Sequence, residues 1–275
     1  MIPLAEINVA SDRFHVPAET IEKDYVLSWI LLCLSKSKLR DHFVFYGGTA
    51  IKRIYFEEHR FSEDIDLLSI KTYTLDYLLE SLDGFRYARE EANLVLDINR
   101  NNTIASKDRI QLYIAYSGYD EIVGAPKEIR IDFSKSMDLY GEIADRELIK
   151  SYSDLKTQHG TLSVMSLNTI IANKLGMLID STRNEPRDIF DIWFLLQRTD
   201  KFDFNFLQVC IVFNAKYGYK PTLNILLSHL QKKYVKERWE IRLRKQVAEL
   251  PKIEMVINDI EDKLKQLFKD ANFKN

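Results

Sequence analysis

The sequence predicts a mixed α/β (α+β) protein in which a mixed sheet occupies the first half and helices occupy the second. Strand-forming patterns are concentrated in residues 86–134, whereas almost everything after residue 166 has helical periodicity. Of the 275 residues, 46% are hydrophobic and only 9 are Gly and 6 Pro, which excludes fibrous and low-complexity chains. We therefore expect two domains: residues 1–160, with an N-terminal helix and an α/β core, and residues 161–275, which are helical.

Helices and strands alternate in the part of the chain before residue 86. Apolar side chains recur at helical spacing over residues 16–34, with Pro17 near the start, where a helix tolerates proline. The other elements predicted in this part are a strand at 41–46, a helix at 49–56, a strand at 65–70 and a helix at 75–82.

The rest of the chain changes from strand patterns to helical patterns. Alternation and β-branched residues predict strands at 94–98, 109–116 and 128–133. Ser166 is placed to cap the first of the later helices. Those helices are predicted at 167–179, 187–197, 206–213, 222–234, 239–249 and 253–268.

Charge and cysteine content exclude several classes of protein. The 39 Lys and Arg residues nearly balance the 41 Asp and Glu residues, so the chain is not a globally basic nucleic-acid coat, although a local basic patch is compatible with this balance. Two cysteines are too few for a disulfide framework, and the five histidines have no metal-ligand spacing. With no signal-peptide pattern and no apolar run near 18 residues, we expect a soluble, cytoplasmic protein without a membrane partner.

A glycine-rich turn, Gly47-Gly48-Thr49, lies between the predicted strand at 41–46 and the predicted helix at 49–56. Glycines allow close backbone approach, and the N–H groups at the start of a helix attract anions. The turn is therefore a candidate phosphate cradle, and an ordinary strand-to-helix turn is the alternative.

Two carboxylates follow in Asp64-Ile65-Asp66. On a strand, residues two apart share one face, so both carboxylates point the same way while Ile65 points into the core. Carboxylates this close repel each other, and a divalent cation with oxygen ligands, Mg²⁺ or Mn²⁺, would supply the compensating charge. The alternative is a solvated strand end beside Arg60. Because glycines precede and aspartates follow one short helix, a catalytic site is favoured over a solvated strand end.

Taken together, Gly47-Gly48-Thr49 and Arg60-Phe61-Ser62-Glu63-Asp64-Ile65-Asp66 resemble the nucleotidyltransferase signature of the AbiEii toxin family. These toxins belong to type IV toxin–antitoxin and abortive-infection systems and are related to the MenT toxins and the DNA polymerase β superfamily. Three further blocks are similar to family motifs: Glu22-Lys-Asp-Tyr-Val-Leu27, Ile171-Ala-Asn-Lys-Leu-Gly-Met177 and Arg187-Asp-Ile-Phe-Asp191.

The resemblance implies a polymerase-β-like core and a Mg²⁺-dependent transfer of a nucleoside monophosphate from an NTP to an RNA acceptor. The acceptors of the family are tRNA 3′ ends, so the expected result is a blocked acceptor stem and arrested translation, with pyrophosphate released. A toxin of this kind also implies a cognate antitoxin.

The resemblance also implies roles for individual residues. Asp64 and Asp66 would hold Mg²⁺, with Asp132 as a third carboxylate that no family motif marks strongly. Lys174 would neutralise phosphate charge, and Asp188 and Asp191 would complete the site from a helical domain that closes the cleft. The candidate nucleotide-binding residues are Gly47, Gly48, Thr49, Lys52, Arg60 and Ser62. One departure is Asn168, where family members often carry glutamate.

The residues themselves leave alternatives open for the two later motifs. Asp188 and Asp191 are three apart and share one face of a helix. They either serve the reaction or form a structural ion pair with Arg183 or Arg187. Lys174 lies in an otherwise apolar helix, where it either extends to solvent or points into a cleft.

A basic segment at 232–245 is a candidate RNA-backbone surface because cations cluster there with interleaved aromatics. Its alternative is a solvated helix face with Trp239 in the core. The candidate RNA-binding residues are Lys232, Lys233, Lys236, Arg238, Arg242, Arg244 and Lys245.

Two rival functions remain at this point. The acceptor could instead be a hydroxyl on a protein or a small molecule, although the basic segment is atypical of the acidic pockets that bind cationic drugs. Alternatively, the chain could bind NTP without turning it over.

Overall fold

The structure is a computed structural model and describes residues 1–119, 127–135, 139–180, 182–183, 185–230 and 233–271. The chain divides into two units. The first comprises Met1–Leu139 and Ile143–Val164, and the second comprises Tyr140–Glu142 and Met165–Asn275.

Within the described part of the first unit, eight strands form one sheet. Its strand order is β3-β5-β6-β2-β1-β8-β7, and β4 pairs with β5. The pairs β1–β2 and β5–β6 are antiparallel, whereas β2–β6 and β1–β8 are parallel, so the sheet is mixed as predicted. The strands are β1 (Phe43–Tyr46), β2 (Asp64–Ser69), β3 (Leu96–Ile98), β4 (Ile104–Ala105), β5 (Arg109–Tyr116), β6 (Glu128–Ser134), β7 (Ile143–Glu147) and β8 (Thr161–Met165).

Helices flank the strands of this unit in the sequence. They are α1 (Leu4–Phe14), α2 (Ala18–Lys36), α3 (Gly47–Ala50), α4 (Leu75–Ser81) and α5 (Arg86–Ala92). Helix α3 continues directly into a π-helical turn, Ile51–Tyr55, so the helix predicted at 49–56 exists but starts at the first glycine.

Helix α2 forms the centre of the first unit because it is buried on nearly all sides. Its sequence also buries acidic side chains, which are tolerated in a core only when they are paired. Asp24 accepts a hydrogen bond from the Tyr152 hydroxyl at 2.6 Å and pairs with Arg53 Nη2 at 3.0 Å. Because Arg53 lies in the π-helical turn after α3, this buried pair anchors the turn to α2.

The register of the central strands decides which side chains share a face. Asp66 lies opposite Tyr46 of β1 and opposite Asp132 of β6, and Asp64 lies opposite Arg130. Between these positions Ile65 and Ile131 are fully buried. Since strand side chains alternate, the polar residues of β2 and β6 share the face opposite these isoleucines.

The second unit is helical in its described residues, as the sequence predicts. Its helices are α6 (Leu167–Ile179), α7 (Pro186–Leu196), α8 (Phe206–Tyr217), α9 (Leu223–Leu230), α10 (Lys233–Leu243) and α11 (Ile253–Asp270). Ser166 caps α6 by accepting a hydrogen bond from Thr169 N. The helix predicted at 239–249 lies too far along the chain, since α10 ends at Leu243. No helix in the described parts of either unit is long and apolar enough to cross a membrane.

Candidate active site

Three carboxylates share one face of the sheet in the first unit. Asp64 and Asp66 come from β2, and Asp132 comes from the neighbouring parallel strand β6. Their side chains are partly exposed, with 23% for Asp64 and 17% for Asp132. The structure thus brings the predicted third carboxylate level with the predicted pair.

Arg130 lies on the same face, two residues before Asp132, and is not among the residues predicted from the sequence. Its Nη2 donates to Asp64 Oδ2 at 2.6 Å, and its Nε lies 3.1 Å from Asp132 Oδ2. Gln111 of β5 donates to the other oxygen of Asp132 at 2.7 Å. The signal for Arg130 was present in Arg130-Ile-Asp132, because residues two apart on a strand share a face.

The carboxylates keep Arg130 charged. Burial lowers the pKa of its guanidinium, but the negative charges of Asp64, Asp132 and Asp66 outweigh burial and raise the pKa above its usual value. Arg130 therefore stays positively charged beside these three carboxylates.

The glycine turn packs directly against this face. Gly47 has φ +84°, a left-handed conformation that favours glycine, and a Cβ atom there would overlap Asp66 Oδ2. A Cβ atom on Gly48 would lie 2.6 Å from Arg60 Nη2 and 3.5 Å from Ser62 Oγ. The two glycines are required because carboxylate, guanidinium and hydroxyl approach the backbone closely.

Thr49 and Arg60 join the turn to the start of β2. Thr49 Oγ1 donates to the carbonyl oxygen of Asp64, and Arg60 Nη1 donates to the carbonyl of Phe61 at 3.1 Å. Both side chains are buried, while Ser62 is half-buried. Five residues of this region therefore form one assembly beside the carboxylates, which we call the cradle: Gly47, Gly48, Thr49, Arg60 and Ser62.

Lys52 has a different role from the predicted phosphate contact. Its ammonium is buried and donates to the carbonyl oxygens of Glu57 at 2.8 Å and His59 at 3.0 Å. It also lies 3.9 Å from the centre of the Phe61 ring. Burial lowers the pKa of Lys52 to about 8. Lys52 holds the loop that precedes β2, so we do not include it in the cradle.

A buried ion cluster occupies the second unit. Lys174 Nζ of α6 lies 2.7 Å from Asp188 Oδ1 and 2.7 Å from Asp191 Oδ2 of α7, and Arg183 Nε lies 2.6 Å from Asp188 Oδ2. The side chains of Lys174, Asp188 and Asp191 are at most 8% exposed. Lys174 therefore does not extend to solvent, and the predicted pairing of Asp188 with Arg183 is present.

The cations of this cluster determine the ionisation of Asp188. Burial raises the pKa of its carboxyl, but the positive charges and hydrogen bonds of Lys174 and Arg183 outweigh burial and hold the pKa below its usual value. Asp188 is thus ionised at neutral pH. Together these four side chains carry two positive and two negative charges.

The basic segment is partly engaged within the second unit. Arg238 Nη2 and Arg242 Nη2 lie 3.4 Å and 3.2 Å from Glu185 Oε1, and Arg187 Nε lies 3.6 Å from Glu185 Oε2. Trp239 is buried and donates to the carbonyl of Pro251 at 2.9 Å, so it belongs to the core, as the alternative interpretation states.

The other basic candidates differ in what the structure describes. Lys236, Arg242, Arg244 and Lys245 are exposed. Lys232 lies outside the described residues, and so does the side chain of Lys233.

The donor set of the carboxylate face fits a hard divalent cation. Three carboxylates on adjacent strands provide oxygen ligands of the kind that Mg²⁺ prefers. The guanidinium of Arg130 contacts Asp64 and Asp132, so it supplies a positive charge beside these carboxylates. As these side chains are placed, no group of three or more His, Cys, Asp or Glu residues in the described part of the chain could hold a metal ion, so the carboxylates would have to move to bind one.

Known proteins share both the sequence pattern and the fold. A family model described as nucleotidyl transferase AbiEii toxin, type IV TA system, matches residues 29–266. The structure is similar to that of MenT4, a nucleotidyltransferase toxin from Mycobacterium tuberculosis H37Rv, with TM-score 0.69 and 15% identity over 97% of this chain and 90% of that chain. It is also similar to JHP933 from Helicobacter pylori, with TM-score 0.57 and 16% identity over 94% and 95%.

At these identities the structural likeness establishes the fold alone, and it confirms the predicted mixed α/β architecture with a helical second half. No curated protein matches the chain.

Proposed function

The chain belongs to the AbiEii family of nucleotidyltransferase toxins, and from that premise we propose that it transfers a nucleoside monophosphate from an NTP to the 3′ end of tRNA. Membership makes it a nucleotidyltransferase, with an NTP as substrate and an antitoxin as the implied partner of a type IV system. The finer proposal adds Mg²⁺, or Mn²⁺ in its place, a tRNA acceptor and action in the cytoplasm, where tRNA and NTPs are found.

The observation that carries this proposal is the contact between the cradle and the carboxylate face. Asp66 packs on Gly47, Arg60 packs on Gly48, and Thr49 donates to the carbonyl oxygen of Asp64, so the turn proposed to bind phosphate adjoins the strand that carries both aspartates. Nucleotidyl transfer needs this combination because the triphosphate must be held while negative charge develops at the α-phosphorus.

We assign the binding of the triphosphate to the cradle. The backbone N–H groups of Gly48 and Thr49 belong to the first turn of α3, and the guanidinium of Arg60 lies beside Gly48. Ser62 Oγ adds a hydroxyl next to Gly48. In the proposed transfer the acceptor oxygen forms a bond to the α-phosphorus while the bond from that phosphorus to the pyrophosphate oxygen breaks, and the hydroxyl proton passes to solvent as pyrophosphate leaves.

We assign the binding of the divalent cation to Asp64, Asp66 and Asp132. When bound, the cation supplies charge neutralisation for the phosphates and for the leaving pyrophosphate. The pairing of β2 with β6 holds the three carboxylates in register, and a hydrogen bond from Gln111 orients one oxygen of Asp132.

Lys174, Asp188 and Asp191 are assigned to the reaction through the family motifs, with Lys174 neutralising phosphate charge. The contacts within the ion cluster support this assignment, because Asp188 and Asp191 on one face of α7 hold the Lys174 ammonium in a defined position. A purely structural ion cluster is the second interpretation, and the two differ in what Lys174→Met does to activity and to stability.

We assign the binding of the RNA backbone to the exposed cations of the basic segment, chiefly Lys236, Arg242, Arg244 and Lys245. Exposed cations bind phosphates without reading bases, so this segment would position RNA rather than select its sequence. We expect the double variant Arg242→Gln/Arg244→Gln to raise the KM for tRNA a few-fold and to reduce its salt dependence, while Lys265→Gln, an exposed lysine on α11, leaves both unchanged.

The direct test is an incubation of the purified protein with total tRNA, Mg²⁺ and each α-labelled NTP in turn. We expect label on tRNA with wild type and with Asp97→Ala, a matched exposed aspartate on β3, and none with Asp64→Ala. Label on a protein or small molecule added in parallel, but not on RNA, would replace the acceptor. Full activity of Asp64→Ala would contradict the mechanism.

A further inference from the structure

Arg130 spans two of the carboxylates that the proposed function assigns to the divalent cation. The guanidinium donates to Asp64 Oδ2 at 2.6 Å and lies 3.1 Å from Asp132 Oδ2. It comes from the same strand as Asp132 and lies opposite Asp64 in the register of β2 and β6. A planar group of this size therefore fills the space between one carboxylate of the predicted pair and the third carboxylate.

The bonding of Arg130 in this position is incomplete. Its contact with Asp64 is a hydrogen bond, but its Nε is buried and, among the described residues, has no hydrogen-bond partner. The contact of Nε with Asp132 is thus an ion pair that lacks hydrogen-bond geometry. Leaving a buried donor unsatisfied is costly, so this arrangement is easier to give up than a complete bidentate pair.

A stabilising salt bridge is the simpler explanation for these contacts, and exposure argues against it. The side chains of Arg130, Asp64 and Asp132 are 36%, 23% and 17% exposed. Ion pairs in contact with solvent add little to stability. Solvent contact also means that dissolved ions can reach the carboxylates and exchange with the guanidinium.

We propose that Arg130 is a built-in competitor of the divalent cation. In the metal-free protein the guanidinium takes the position of the cation on Asp64 and Asp132, and it must leave these oxygens for the cation to bind. Arg130 thereby keeps three neighbouring carboxylates together without metal and lowers the affinity of the site for the cation. This inference rests on the proposed function, because it assumes that these carboxylates are the ligands.

Mn²⁺ binding to the nucleotide-free, full-length protein tests the competition, measured by electron paramagnetic resonance of the unbound ion. We expect Arg130→Gln to bind Mn²⁺ at least about tenfold more tightly than wild type, because it removes a positive charge that contacts the ligands. Arg109→Gln removes the same charge from an exposed position on β5 and should change the affinity less than twofold. Equal or weaker binding by Arg130→Gln would overturn the proposal.

Two further variants keep the outcome interpretable. Arg130→Lys retains the charge but has no planar fork to span two carboxylates, so we expect an affinity between those of wild type and Arg130→Gln. It replaces Arg130→Gln if that variant does not fold, and an affinity equal to wild type would then count against competition. Asp64→Ala should lose Mn²⁺ binding. If it binds like wild type, the proposed metal site is wrong; if it loses binding while Arg130→Gln gains none, only the competition is wrong.

Discussion

The carboxylate face of the first unit and the ion cluster of the second use the same kinds of side chain in opposite ways. On the carboxylate face, Asp64 and Asp132 are partly exposed and both contact the guanidinium of Arg130. The Nε atom of that guanidinium has no hydrogen-bond partner among the described residues. In the ion cluster, Lys174 is buried and contacts two carboxylates at 2.7 Å. Exposure makes the first group accessible to ions, whereas burial makes the second group costly to disturb.

This difference indicates how each group serves the protein. Charges that contact solvent contribute little to stability, so the carboxylate face is available for chemistry. The buried charges of the ion cluster compensate one another, so any role of Lys174 in the reaction depends on an intact cluster. Variants at the two places should therefore separate activity from stability.

The largest effect is expected from Asp64→Asn. Loss of a ligand charge should lower kcat/KM for nucleotidyl transfer about 10³-fold or more, since charge stabilisation at a metal site is worth several kcal/mol. The midpoint of thermal unfolding should change by no more than about 2 °C, because the side chain is partly exposed. Asp97→Asn is the matched control and should match wild type in both measurements.

The next largest effect is expected from Lys174→Met, and here it is on stability. Removing the lysine leaves Asp188 and Asp191 buried beside each other, which should cost about 3–5 kcal/mol in the free energy of unfolding. Urea titration measures this cost. Lys236→Met, on an exposed position of α10, should stay within about 0.5 kcal/mol. A fully stable Lys174→Met would contradict the structural importance of the cluster.

A smaller effect is expected from Gly48→Ala, which places a Cβ atom 2.6 Å from Arg60 Nη2. The guanidinium of Arg60 must move away from residue 48, so the KM for NTP should rise about tenfold, or about 1.4 kcal/mol of binding. Gly218→Ala is the control: it has φ +80° with no atom within 4 Å of the added Cβ. It should cost about 1 kcal/mol of stability and leave the KM unchanged.

The smallest effect is expected in the pH dependence of stability. Because the pKa of Asp188 is lower in the folded protein than in the unfolded chain, its contribution to stability is present above about pH 4 and is lost as the pH falls through the folded value. The free energy of unfolding of Asp188→Asn should therefore decline less steeply between about pH 4 and pH 2 than that of wild type. An unchanged slope would show that Asp188 is not held ionised.

The carboxylate pair could be predicted because its logic is local. Two aspartates with one isoleucine between them define a face on any strand, and strand β2 is strongly apolar. The position of Asp132 beside Asp66 depends on the pairing of β2 with β6, which brings together residues more than 60 positions apart. No local pattern specifies that pairing, so Asp132 could be predicted only as a candidate.

Other features were decided by contacts that a sequence pattern does not contain. Lys52 looked like a phosphate ligand because it follows the glycines, but the loop that it holds curls back over its ammonium. The contact of Arg130 with Asp64 was not predicted, because it depends on the same pairing of β2 with β6. Strands β4, β7 and β8 were not predicted, and α5 is a helix at the start of the region predicted to be strand-like; β8 owes its place to pairing with β1, which no local pattern specifies.

The most direct test of the central claim uses tRNA with and without a 3′ hydroxyl. Wild type is incubated with an α-labelled NTP, Mg²⁺ and either intact tRNA or tRNA whose terminal ribose has been oxidised by periodate, beside Asp64→Asn. Transfer to the 3′ end through the carboxylate face predicts label on intact tRNA with wild type alone. Equal labelling of oxidised tRNA, or undiminished labelling by Asp64→Asn, would contradict it.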